Sequence, residues 1–459
     1  MGSPDSGTMS RCMADSRRQR PWWRRGWVAG PLAACVVLLL LGAGRFVLDR
    51  RVRSALAEIR QEGFPVTPQE LHAWYPVPES VNAADMYARA FEAYDRDVLL
   101  EQALPIFNPA IGLPAPGEPL GPGVKDACRR YIERNREPLD LLRTAASIPA
   151  CRFPIDLTKP HDMDAPHLAG IRHAARLLYL EVLVATDEGD WNTGLGSVAT
   201  MLRVSKSLGR EPTSFAHAIS IATQFTATTA LERVLFHAEA HALQTERLEQ
   251  VDRLLEKTVE TEGLVRALAG DRTTCLRSFR QPPSFSTDPF WVELGLGLWK
   301  AVGLRTADEL AYLRMTDEKI RIARKSPTRP HQWADALGPP PWYAVFSRMY
   351  YQQSVFLMRM SARSRGFARV ARVALAAKRF QAATGRLPER IEDLVPAHLG
   401  TTPLDIIGEG PLRYRRTERG AVIYGVGLDG RDDGGTEEDV RGRRFTAGTD
   451  ITFSLALVE

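Results

Sequence analysis

The chain has 459 residues and a net charge of +5, with 44% apolar and 25% charged residues, which suits two or three folded domains around a sizeable core. Residues 1–53 hold ten Arg against Asp5, Asp15 and Asp49, a balance of +7 that leaves residues 54–459 at −2. The basicity belongs to the N-terminus alone, which argues against a nucleic-acid partner and for a membrane.

Gly26 to Gly44 carries no charge over 19 residues. About 20 apolar residues at about 1.5 Å each cross a bilayer core of about 30 Å. Trp22, Trp23 and Trp27 stand where interfacial anchors belong. Arg17, Arg18, Arg20, Arg24 and Arg25 crowd the N-terminal side, so that side is expected to be cytoplasmic. Arg45, Arg50, Arg51 and Arg53 partly offset the bias. The apolar core is long for a cleaved signal peptide, and Leu41-Gly-Ala-Gly44 is a poor cleavage site. Leu32-Ala-Ala-Cys35 looks like a lipoprotein box but precedes the Val36–Leu41 run, so lipidation is not expected. The expectation is an uncleaved single-pass anchor in a bacterial inner membrane, with the bulk of the chain beyond it.

Beyond the anchor, Phe46 to Arg60 continues as a juxtamembrane helix, broken at Gly63. Thr67-Pro-Gln-Glu70 is a helix start, with Thr67 as N-cap and Glu70 closing a capping box. Asn82 opens another helix through Tyr94. Residues 105–123, rich in Pro and Gly, are expected as loop, and helices resume at about Val124–Ser147. His167–Glu188 and Trp191–Leu208, joined by Gly189-Asp190, form an antiparallel pair that resembles a single tetratricopeptide-type hairpin. The period of about 34 residues does not recur, so no repeat array is expected. Phe215–Ala242 and Thr245–Leu268 read as two more helices, residues 279–345 as an irregular segment, and Val345–Thr384 as one long helix. Arg413–Arg416, Ala421–Val426 and Thr449–Leu457 read as short strands between Gly- and Asp-rich turns. The fold class is thus mainly α: a transmembrane helix, a helical-hairpin body and a small C-terminal α+β unit. The division is a basic tail over 1–25, an anchor over 26–48, a helical body over 49–344, and the long helix with its small antiparallel sheet over 345–459.

From about Arg372 to Phe453 the chain carries an ordered set of short motifs. A helix ends in Ala383-Thr-Gly385-Arg-Leu-Pro388, and Leu394-Val-Pro396 follows. Next come Pro403-Leu-Asp405, Gly410-Pro-Leu-Arg-Tyr414, Tyr424-Gly-Val-Gly-Leu-Asp429-Gly430 with Gly434-Gly435, and Asp450-Ile-Thr-Phe453. In order and spacing these resemble the globular end of the major pseudopilins of type II secretion systems, over about a sixth of the chain. In that family an Asp-Gly loop and a closing Asp bind calcium, so the resemblance implies Asp429 and Asp450 as candidate Ca²⁺ ligands. Asp432 and Asp433 join them on chemical grounds, since Ca²⁺ takes several carboxylate oxygens. Asp and Gly are also the residues of tight turns. No Gly-Phe-Thr-Leu-like processing site precedes Val28, and about 300 residues separate the apolar helix from the matching region, so assembly into a pilus fibre is not expected.

Other constellations are weaker. His237 and His241 are spaced i,i+4, but Glu239 does not complete a His-Glu-x-x-His motif. His161, Asp162 and Asp164 cluster with His167 and His173. Either group would serve a metal-dependent hydrolase, the alternative reading. Cys128, Cys151 and Cys275 are too few for a disulfide scaffold, and Cys128 and Cys151 either pair or act as small buried residues. Gly-x-Ser-x-Gly and phosphate-binding Gly loops are missing. The expected function is a membrane-anchored scaffold that contacts the lipid bilayer and other envelope proteins, or an accessory component of a type II secretion-like system.

Overall fold

A computed structural model describes residues 22–78, 81–108, 110–115, 117–159, 163–280, 297, 299–300, 302–325, 337–435 and 449–456. The fold is mostly helical, with a small antiparallel sheet near the C-terminus.

Helix α1 (Trp22–Gln61) runs unbroken for 40 residues. Its two halves differ in what surrounds them. From Gly30 to Gly44 every residue is exposed, whereas Val52, Leu56 and Ile59, spaced by four and three, are buried. The apolar segment and the expected juxtamembrane helix are therefore one rod whose far end belongs to the core. Gly63, at φ +82°, ends it in a conformation that suits glycine. Helix α2 (Pro68–Trp74) starts as its capping residues dictate: Thr67 Oγ1 accepts from the Glu70 N–H at 3.2 Å, and Glu70 Oε2 accepts from Val66 N–H at 2.8 Å. Asn82 caps α3 (Ala83–Glu92) by accepting from Ala84 N–H.

After the single turn α4 (Val98–Glu101), the helices expected to resume at about 124–147 are α5 (Pro122–Arg134) and α6 (Arg136–Ser147). They meet at Asn135, which is fully buried and bonds both the N–H and the C=O of Asp95. The expected hairpin is present as α7 (Pro166–Asp187) and α8 (Trp191–Ser207), with Asp190 capping α8 through the Thr193 N–H. Helix α9 (Ser214–His237) packs across both. The helix expected over 245–268 breaks into α10 (Thr245–Thr258) and α11 (Glu262–Arg280). The Val259 carbonyl freed at the break accepts from Arg365 Nε at 2.8 Å.

The segment expected to be irregular over 279–345 contains a 22-residue helix, α12 (Leu304–Lys325). Its inward face includes Thr306, Asp308, Thr316 and Lys319, all buried, which hides the apolar periodicity that would mark a helix. Asp308 accepts from the N–H groups of Phe346 and Ser347 and so caps the long helix α13 (Val345–Thr384). The α13 segment around Val370, Ala374 and Leu375 is fully buried, and α13 packs on α9, α10 and α12. Gly385, at φ +77°, closes it with its N–H on Gln381 C=O.

Strands β1 (Arg413–Thr417), β2 (Gly420–Gly425) and β3 (Ile451–Ala456) form the sheet in that order, with Tyr414 opposite Ile423 and Ile423 opposite Phe453. The sheet lies on α13, where a Cβ at Gly366 would stand 2.5 Å from Ile451 Cδ1. Glu232 of α9 also accepts from Ser454 N–H in β3 at 2.8 Å. One continuous apolar cluster joins Val52 in α1 to Leu455 in β3, so α13 is shared between the body and the sheet.

Candidate functional site

The acidic residues singled out in the sequence surround the loop between β2 and β3. Asp450, buried at the start of β3, accepts from Asp433 N–H at 3.0 Å and Gly435 N–H at 2.9 Å through Oδ2. These two bonds draw the loop back onto the sheet. Gly435 has φ +64°, and a Cβ there would stand 2.6 Å from the Tyr424 ring, so both backbone and space call for glycine. The other Asp450 oxygen, Oδ1, is buried and has no hydrogen-bond partner among the described residues. Burial pushes the Asp450 carboxyl above the usual carboxylate range, the two N–H donors oppose this, and the charges of Asp433 and Asp432 add repulsion.

Asp432 accepts from Gly434 N–H through Oδ1 and pairs with Arg413 Nε at 2.8 Å through Oδ2. Asp429 is exposed and accepts from Arg431 N–H at 3.0 Å, a side-chain-to-backbone turn. Asp433 is exposed. Thus the charges of Asp432 and Asp433 act on Asp450, while one Asp429 oxygen is engaged within its own turn. Among the described residues no three His, Cys, Asp or Glu side chains form a ready-made metal cage. The 436–448 segment that completes the loop lies outside the described residues. The orphaned Asp450 Oδ1, in a field of neighbouring carboxylates, is the feature that fits a hard cation.

Asp405 has a role that the sequence motif did not reveal. Its buried carboxylate accepts from Ile407 N–H and Val426 N–H, and lies 3.4 Å from Arg413 Nη1. It ties the 403–412 turn to the end of β2. The close approach of Gly408 and Gly425 to this carboxylate leaves room for it.

Among the described residues the histidines of the two clusters are engaged separately. His161 and Asp162 lie outside the described residues. His167 Nε2 is 2.8 Å from Glu211 Oε2, its ring stacked on Phe153. His173 instead meets the Tyr131 hydroxyl at 3.1 Å, and burial lowers its pKa to about 4, which keeps it neutral at neutral pH. Asp164 is not among the hydrogen-bonded partners of either ring. The i,i+4 relation of His237 and His241 fails because α9 ends at His237 and Ala238 is extended. His237 Nε2 accepts from Gly117 N–H at 3.0 Å, and exposed His241 sits 3.1 Å from Glu239.

Cys128 and Cys151 are both free thiols. Burial pushes Cys128, Cys151 and Cys275 up to about 12, so at neutral pH each is a thiol and a poor nucleophile. One basic group does face a hydroxyl: Lys319 Nζ donates to Ser354 Oγ. That hydroxyl in turn donates to the Tyr350 and Tyr351 carbonyls of its own helix. Within the helix the backbone N–H groups are committed to the i→i−4 ladder, so the Lys319–Ser354 contact ties α12 to α13. Comparison of the chain with protein-family profiles, with curated proteins and with solved structures finds no match.

Proposed function

We propose that this chain is a single-pass membrane-anchored envelope protein that scaffolds or contacts other envelope proteins. The observation that carries the reading is the contrast within α1. Leu32, Val36, Leu38, Leu39 and Leu40 stand uncovered, Leu39 at 72% exposure, while the same rod is locked into the core from Val52 onward. An apolar surface of that length finds a favourable solvent in lipid. In this reading the N-terminus is cytoplasmic in a bacterial inner membrane and the body stands on the other face. The C-terminal sheet on its long helix is the pseudopilin-like surface, and Ca²⁺ held by Asp450 with Asp429, Asp432 and Asp433 steadies its loop. The orphaned Asp450 oxygen supports that last element. A type II secretion-like assembly is the partner class that the motif order favours.

The test is crosslinking of the full-length protein in its own membrane, followed by identification of what is attached. Envelope or secretion components recovered in proportion to crosslinker are the expected result. Recovery of the chain alone would contradict a scaffolding role.

A further inference from the structure

The exposed apolar surface does not stop where the anchor leaves the bilayer. Beyond Arg45, Phe46 and Val47 remain exposed on α1. The start of α12 meets α1 at this level: a Cβ on Gly303 would lie 3.8 Å from Leu48 Cδ1 and 3.9 Å from Arg45 Cβ, and Thr306 Oγ1 donates to Asp49 at 3.2 Å. The start of α13 is held beside it, since Asp308 caps Phe346 and Ser347 and the Trp299 ring lies 5.8 Å from that of Phe346. This places Val302, Trp342 and Val345 in the same zone, with Trp342 at 82% and Val345 at 60% exposure. Among the described residues the exposed charges around them are cationic, from Arg50, Arg51, Lys300 and Arg348. Asp49, the acidic neighbour on α1, is engaged by Thr306.

Aromatic and aliphatic side chains ringed by Arg and Lys are the chemistry of the interfacial layer of a membrane carrying anionic phospholipid. We infer that the body has a second, peripheral contact with the bilayer, in which Phe46, Val302, Trp342 and Val345 enter the headgroup layer beside the anchor helix. This rests on the anchor reading above and adds to it. The body is then pressed against the leaflet it emerges from, with a fixed orientation, rather than swinging on a stalk.

Spin labels in the full-length chain, reconstituted in vesicles of mixed zwitterionic and anionic phospholipid, test this. Native Cys35 in a Cys12→Ser background reports the anchor. Trp342→Cys and Val345→Cys, each in a Cys12→Ser, Cys35→Ser background, report the collar. Leu404→Cys is the control: it is an exposed apolar site whose carbonyl accepts from Arg369, about 33 Å along α13 from Ser347 at about 1.5 Å per residue. The reading is accessibility to oxygen, which partitions into lipid, against a water-soluble nickel chelate. Expected is a several-fold higher oxygen-to-nickel ratio at Cys35, at 342 and at 345 than at 404. If Cys35 reads lipid but 342 and 345 match 404, the collar is wrong and the anchor stands. If Cys35 itself reads water, both fall. Using two collar positions guards against one substitution disturbing the fold.

Discussion

Lys378 shows how much this core tolerates in order to join its helices. It has no exposed surface, and its Nζ donates to Ala238 C=O at 2.9 Å, where α9 ends. A cation at a helix C-terminus is favourable, but burial without a carboxylate lowers its pKa to about 8 from the ordinary 10.5. Lys319, equally buried, is lowered to about 7. A lysine whose folded pKa lies below its unfolded one binds fewer protons in the native state across that window, so stability rises with pH there. Unfolding of the full-length protein in detergent should therefore become less favourable between pH 7 and pH 10. Lys378→Met should flatten that rise by up to about 3 kcal/mol, at about 1.4 kcal/mol per pK unit. Equal slopes for the two proteins in denaturant titrations would show that Lys378 is charged and solvated in the native state. Neither lysine was legible as a buried residue in the sequence, because its partner is a carbonyl or hydroxyl distant along the chain rather than an acidic neighbour.

The β2–β3 loop is where turn chemistry and the proposed metal chemistry call on the same residues. Asp450 holds two loop N–H groups with one oxygen and leaves the other orphaned. If Ca²⁺ occupies this loop, millimolar calcium should raise the melting temperature of the full-length protein and EDTA should reverse it. Saturation at about 100 times the dissociation constant is worth about 2.7 kcal/mol. Asp450→Asn should abolish the response, whereas identical melting of the native chain in calcium and EDTA would leave Asp450 as a structural clamp only. The elements most legible in the sequence were those with local signals: the Thr67 cap, the Gly189 turn, the Gly385 stop and the three strands came within a residue or two of their positions. Those that misled were set by distant groups. Helix α12 hid behind Asp308 and Lys319. At Val259 the freed carbonyl is met by Arg365, about a hundred residues away. The i,i+4 histidines failed because nothing in Phe-His-Ala-Glu-Ala-His announces that α9 ends at its first histidine.

For the molecule as a whole, the decisive feature is continuity. One helix carries an uncovered apolar half and a half whose Val52, Leu56 and Ile59 face is buried, and the core that this face joins extends without interruption to the last strand. Val52, Leu56 and Ile59 each contribute about 1.5–3 kcal/mol by leaving water, so detaching the rod from the body is costly. In the proposed anchored scaffold, the sheet on α13 would therefore follow the orientation of the anchor helix through this shared core. The most direct test of the membrane reading is alkaline carbonate extraction of membranes from cells making the full-length chain. The protein should stay in the sedimented bilayer at high pH and be released by detergent. Quantitative release by carbonate alone would contradict an integral anchor and leave the exposed Gly30–Gly44 surface to be covered by protein instead.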